Sequence, residues 1–262
     1  MIFHKTVFFL SMLISNKAFY TKPRQFSQYK SCIHLSMKKD RPKNIANIYL
    51  PKTINQQNYL DALNNHRSKI IVVSGPAGTG KTMFACLKAI DLLKCNEINK
   101  IIITRPVVTV EEDIGFLPGN IIKKMDPWTK PVFDLFLEQY SKSELDNLIY
   151  GNTIEICPLA FMRGRTFKNA FIIADEMQNS SPTQMKMLTT RIGINTKMVI
   201  TGDVKQSDTT KDNGLVDFIN RVKMYENNNS TTELIQMIEL ENDDIERSEV
   251  VKKVIKIYDD KL

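Results

Sequence analysis

The sequence contains few of the residues on which disulfide-rich and zinc-binding proteins depend. It has four cysteines and three histidines, and no two cysteines have the C-x-x-C spacing that is typical of zinc sites. No apolar run reaches the roughly 20 residues that a helix needs to span a bilayer. We therefore expect neither disulfides nor a zinc site, and no membrane segment in the mature protein.

Acidic residues are missing from the first 39 positions, which contain seven lysines and arginines. The rest of the chain carries 29 basic and 29 acidic residues, so the net charge of +7 comes entirely from this basic arm. The positive net charge therefore does not indicate that the folded part of the chain binds nucleic acid.

The basic arm has the features of a targeting sequence. Its apolar segment 7–14 (VFFLSMLI) is too short to span a membrane but fits the core of a signal peptide, and Ala18 would suit cleavage. The stretch from there to Lys39 is basic and rich in serine, as in organellar transit peptides. We expect residues 1–39 to be a disordered presequence that directs the protein to a plastid rather than a mitochondrion. The apolar segment and the basic stretch together resemble the two-part plastid presequences of algae with complex plastids. The alternatives are one uninterrupted mitochondrial or chloroplast transit peptide, or an arm that binds nucleic acid or is merely disordered.

Apolar runs alternate with helical patterns from about residue 48 onward. The predicted strands are 70–73, 101–104, 153–157, 171–174, 198–201 and 234–240, and the predicted helices are 82–94, 131–149, 182–191, 213–225 and 245–258. Strands that alternate with helices predict an α/β fold, with a mostly parallel sheet and helices on both faces. We expect a single domain over residues 48–258.

Glycine is sparse in this chain, yet three of the ten glycines fall within eight residues. The segment 75–82 (GPAGTGKT) fits G-x-x-x-x-G-K-[ST] and joins a predicted strand to a predicted helix. Such a loop lets backbone N–H groups approach phosphates, and the helix N-terminus adds partial positive charge. Lys81 would contact the β- and γ-phosphates, and the Thr82 hydroxyl would bind Mg²⁺. The predicted nucleotide-binding residues of the loop are Gly75, Pro76, Ala77, Gly78, Thr79, Gly80, Lys81 and Thr82.

Polar side chains follow two other predicted strands. Asp175 and Glu176 come directly after the strand 171–174. There Asp175 can hold Mg²⁺, while Glu176 can orient and deprotonate the attacking water. The strand 198–201 leads into Gly-Asp-x-x-Gln, where the Gln206 amide can sense the γ-phosphate or, alternatively, only cap a loop. An acid next to the metal-binding acid favours hydrolysis over simple nucleotide binding.

Together these motifs resemble the PhoH-like family of RecA-like P-loop ATPases, which is related to the first lobe of superfamily 1 helicases. The resemblance covers about residues 51–258, and its most specific part is 158–166 (PLAFMRGRT). In the segment 52–59 (KTINQQNY), Gln56 corresponds to a glutamine that reads adenine in related helicases. The resemblance implies ATP and Mg²⁺ as cofactors and a homo-oligomeric ring such as a hexamer. It also makes RNA a candidate partner.

A single RecA-like lobe leaves one side of the γ-phosphate open to water. Related ATPases close that side with an arginine from the neighbouring subunit. Arg163 and Arg165, which flank Gly164, are the first candidates, and the others are Arg247, Arg105 and Arg191. The alternative is that Arg163 and Arg165 pair with local acids or cap a helix end.

Three functions remain open at this point. The leading hypothesis is an ATP hydrolase that works as a ring. The second is an ATP-gated RNA-binding scaffold in which hydrolysis is only a slow timer. The third is a P-loop kinase for a small molecule, which the paired acids disfavour. A GTPase is disfavoured as well, because the sequence has no Asn-Lys-x-Asp segment to read guanine.

Overall fold

The computed structural model describes residues 50–106, 121–205, 213–228 and 233–246, with parts of 250–257. The targeting arm predicted for residues 1–39 and half of the predicted helix 245–258 lie outside these residues. The strands are β1 (Ile70–Ser74), β2 (Lys100–Thr104), β3 (Ile154–Ile156), β4 (Ala170–Ala174), β5 (Lys197–Gly202) and β6 (Ile235–Glu239). The helices are α1 (Ile54–Asn64), α2 (Lys81–Lys94), α3 (Ile121–Leu137), α4 (Lys142–Tyr150), α5 (Pro182–Thr189) and α6 (Gly214–Asn228).

The six strands form one sheet in the order β3-β2-β4-β5-β1-β6, and every neighbouring pair is parallel. The central strands are continuous apolar runs because helices cover both faces of the sheet. On one face, Ile71 and Val73 belong to a buried cluster with side chains of α1 to α4. On the other face, Ile70 and Val72 pack in a cluster with side chains of α5 and α6. This arrangement confirms the α/β fold predicted from the sequence.

Strand β5 lies between β1 and β4. The strand that leads into the phosphate loop is therefore not adjacent to the strand that ends in the paired acids, an arrangement expected of a RecA-like P-loop domain. All three strands end at the same edge of the sheet because they are parallel. Ligands of open parallel sheets bind at this carboxyl edge.

One helix prediction is wrong, and one helix was not predicted. The single helix predicted for 131–149 is two helices, because Ser141 begins α4 with a capping box in which Glu144 is the partner. Helix α1 was not predicted, although Thr53 and Gln56 form the Thr-x-x-Gln pattern of a helix start. Within the described parts of the chain, no helix is long and apolar enough to cross a membrane.

Candidate functional site

The loop between β1 and α2 has the backbone geometry of a phosphate-binding turn. Gly75, Gly78 and Gly80 have φ angles of 152°, 87° and 88°, which disfavour other residues. A Cβ atom on Gly75 would lie only 2.4 Å from the backbone oxygen of Leu240. Glycine is therefore required both by the turn and by the segment packed beside it.

Lys81 points its ammonium group back into this loop. Its Nζ donates hydrogen bonds to the carbonyl oxygens of Gly75 and Pro76, both at 2.7 Å. Burial lowers the pKa of Lys81, and attraction to three carboxylates opposes that shift. These carboxylates belong to Asp203, Glu176 and Asp175. The P-loop lysine is thus a partly buried cation in the field of the acids at the strand ends.

Asp175 lies where three elements meet. Its Oδ1 accepts hydrogen bonds from the Thr82 hydroxyl at 2.7 Å and from the Thr201 hydroxyl at 2.5 Å. Thr82 is in the first turn of α2, and Thr201 is near the end of β5. The structure therefore brings together the two residues predicted to hold Mg²⁺. A hydroxyl and a carboxylate fit this ion, which is usually held by one or two carboxylates together with substrate phosphates.

Glu176 has an unusual backbone conformation. Its φ and ψ angles are 54° and 40°, in the left-handed region that non-glycine residues rarely adopt. Such conformations occur preferentially at functional sites. The Oε2 atom of Glu176 accepts a hydrogen bond from Gln178 Nε2 at 2.6 Å. Gln178 was not among the predicted site residues, although it follows the paired acids by only two positions.

Gln56 is buried, with 1% of its surface exposed. Its Nε2 donates to the backbone oxygens of Asp244 and Thr79, at 3.2 and 3.4 Å, and its Oε1 accepts from Lys52 N at 2.8 Å. Both ends of the amide therefore have backbone partners within the chain. In this arrangement Gln56 holds the P-loop against neighbouring segments, and the predicted contact with adenine would require an exchange of these partners.

The two candidate arginines of the turn after β3 have different surroundings. Arg165 forms a bidentate ion pair with Glu155, and its guanidinium lies 4.6 Å from the centroid of the Phe167 ring. The hydrogen bonds with Glu155 raise the pKa of Arg165. The structure therefore contains the alternative arrangement, in which Arg165 pairs with a local acid. Arg163 is exposed and has no hydrogen bond or ion pair with the described residues.

The remaining candidates contribute less to the described site. Arg191 donates to the backbone oxygens of Met187 and Arg165, so its guanidinium supports the local fold. Gln206 and Arg247 lie outside the described residues.

Gln56→Ala tests whether Gln56 braces the loop or reads the base. Because the change leaves buried backbone groups without partners, we expect the free energy of unfolding to fall by about 1–3 kcal/mol. We expect the KM values for ATP and GTP to rise by the same factor. The matched control is Gln57→Ala, which removes only a hydrogen bond to Asp61 on the helix surface. A narrower preference for ATP over GTP would instead support the base-reading role.

Known proteins are similar to this chain over most of its length. A family model described as PhoH-like protein matches residues 48–259. A PhoH-like protein of Bacillus subtilis (strain 168) is 42% identical over 210 residues, which are 79% of this chain and 63% of that protein. Protein PhoH of Escherichia coli (strain K12) is 35% identical over 207 residues, which are 78% of this chain and 56% of that protein.

The matched region is thus less than two thirds of either relative's length. Among solved structures, the Pyrococcus furiosus Hef helicase domain aligns with a TM-score of 0.40 and 12% identity, over 71% of this chain and 38% of that chain. The family model covers most of this chain, from residue 48 to residue 259. The chain therefore belongs to the PhoH-like family.

Proposed function

We propose that this protein binds ATP with Mg²⁺ and hydrolyses it. The observation that carries the proposal is the meeting of Thr82, Asp175 and Thr201 beside the P-loop, with Glu176 as the next residue along the chain. Nucleotide binding alone needs the loop and a metal-binding pair. A second carboxylate directly after the metal-binding one adds a candidate base for water.

Each residue of the proposed site has a distinct task. Backbone N–H groups of the loop and the Lys81 ammonium neutralise charge on the phosphates. Thr82 and Asp175 hold Mg²⁺, which when bound stabilises the charge that develops on the phosphate oxygens. Glu176 orients the attacking water and takes up its proton.

Two amide substitutions separate the roles of the acids. Glu176→Gln keeps the shape of the side chain but removes the base, so we expect kcat to fall by about 10²- to 10⁴-fold with little change in affinity for ATP–Mg²⁺. Asp175→Asn should weaken the affinity as well, because it removes a metal-binding charge. Phosphate release and nucleotide titration measure the two effects, and exposed Glu233→Gln is the control.

Equal losses of nucleotide affinity in Glu176→Gln and Asp175→Asn would contradict this division of roles. Release of phosphate without any acceptor other than water distinguishes hydrolysis from a kinase reaction. The same assay with single-stranded RNA, and with GTP in place of ATP, tests the RNA association and the base preference that the family resemblance implies.

We further propose that full activity requires a ring of subunits in which Arg163 reaches the neighbour's γ-phosphate. Two observations support this choice over Arg165. The Arg163 side chain is exposed and has no ion pair with the described residues. The Arg165 guanidinium is already paired with Glu155. An arginine supplied to a phosphoryl-transfer site in this way contributes about 10³- to 10⁵-fold in rate in GTPases.

Mixing two inactive variants tests the ring. Arg163→Ala subunits keep Lys81, and Lys81→Ala subunits keep Arg163, so a mixed interface contains one complete site. We expect phosphate release to rise when the two variants are mixed, and wild-type turnover per subunit to increase with protein concentration. Mixtures of Arg163→Ala with the double variant Lys81→Ala/Arg163→Ala are the control. A monomer with full turnover, or mixtures that stay inactive, would contradict the proposal.

A further inference from the structure

Gln178 connects the proposed base to the end of strand β5. It lies in the short 3₁₀ turn Met177–Asn179 and is 2% exposed. Its Nε2 donates to Glu176 Oε2 at 2.6 Å, and its Oε1 accepts from the backbone N–H of Asp203 at 3.1 Å. Only this orientation of the amide satisfies both partners, since a carboxylate oxygen accepts and an N–H group donates.

Gly202 leaves the space that the Gln178 amide occupies. A Cβ atom on Gly202 would lie 2.7 Å from Gln178 Oε1 and 3.1 Å from Gln178 N. It would also lie 2.6 Å from Leu215 Cδ2. Any larger residue at position 202 would therefore push the amide away from Asp203.

The end of β5 is consequently linked to both acids of the site, to one directly and to the other through Gln178. The Thr201 hydroxyl donates to Asp175. The backbone N–H of Asp203 donates to Gln178 Oε1, and Gln178 Nε2 donates to Glu176. Asp203 Oδ1 in turn accepts from Lys205 N at 2.9 Å, which fixes the turn that follows the strand. A displacement of this turn would therefore change the position of the Glu176 carboxylate.

We infer that Gln178 is a positioning residue that holds the Glu176 carboxylate in its working orientation and couples it to the turn at residues 203–205. The inference rests on the proposed role of Glu176 as the base in ATP hydrolysis. The buried amide is neutral, so it fixes the carboxylate without adding a charge to the site. Among the described residues, the charged groups near Glu176 include Lys81 in the first turn of α2, Asp175 directly after β4 and Asp203 directly after β5.

Two variants of Gln178 test the inference. Gln178→Ala removes both hydrogen bonds, and we expect kcat to fall by about 10- to 100-fold, as when partners that orient a functional ligand are removed. The KM for ATP should stay near the wild-type value, because Gln178 acts on the base. Gln178→Glu has nearly the same shape and keeps the acceptor for Asp203 N, so it carries the test even if Gln178→Ala fails to fold.

The split between kcat and KM in Gln178→Glu gives a readout that a merely structural role would not produce. The substitution keeps the acceptor for Asp203 N but replaces the donor to Glu176 with a carboxylate oxygen. We expect kcat to fall while the KM for ATP stays near the wild-type value. The matched control is Gln184→Ala, which removes an exposed amide side chain from the capping box of α5. Its kcat and KM should match those of the wild-type protein.

A double variant separates this inference from the proposed function. In the Glu176→Gln background, removal of Gln178 should lower kcat no further, since the base that it positions is already absent. A wild-type kcat in Gln178→Glu, with Glu176→Gln inactive, would overturn the positioning role alone. A wild-type kcat in Glu176→Gln would overturn both the base and its positioning.

Discussion

The two hydrogen bonds that Asp175 accepts from Thr82 and Thr201 connect the parts of the site. They join the first turn of the P-loop helix to the ends of β4 and β5. Because β5 separates β4 from β1, the acid strand lies roughly 10 Å from the strand that leads into the loop, at about 4.8 Å per strand. Thr201, at the end of the intervening strand β5, and Thr82, in the first turn after the loop, both donate to Asp175, so the proposed metal-binding pair lies at this junction.

The P-loop itself is held by contacts from outside. Gln56 donates to Thr79 O, the backbone N–H of Glu246 donates to Gly78 O at 3.0 Å, and Gly75 packs directly against Leu240. Glycine-rich turns lose much conformational entropy on folding, so they need such support to keep one conformation. The segment after β6 and the start of α1 thus support the conformation of the P-loop, although they are not among the predicted phosphate-binding residues.

Local pattern was sufficient to predict the strands, the loop and the paired acids. Parallel strands end at one edge, so Thr82 and Asp175 could be placed together although 93 residues separate them. The partners of side-chain amides could not be predicted in this way. Gln56 bonds Asp244 across 188 residues, and Gln178 bonds Asp203 across 25 residues, and neither spacing follows a repeat. The pairing of Arg165 with Glu155 could not be predicted either, because it depends on the turn after β3. The start of α1, in contrast, could have been predicted from its Thr-x-x-Gln pattern.

Phosphate release by Lys81→Ala tests most directly whether this P-loop hydrolyses ATP. The Lys81 ammonium group donates hydrogen bonds to two carbonyl oxygens of the loop. It is also attracted electrostatically to Asp203, Glu176 and Asp175. Phosphate release from ATP–Mg²⁺ should fall by about 10²- to 10³-fold, as when one preorganised donor to the developing charge is removed. Lys168→Ala, a change at an exposed lysine away from the loop, should release phosphate at the wild-type rate. Full turnover by Lys81→Ala would contradict the assignment of this loop as the catalytic phosphate site.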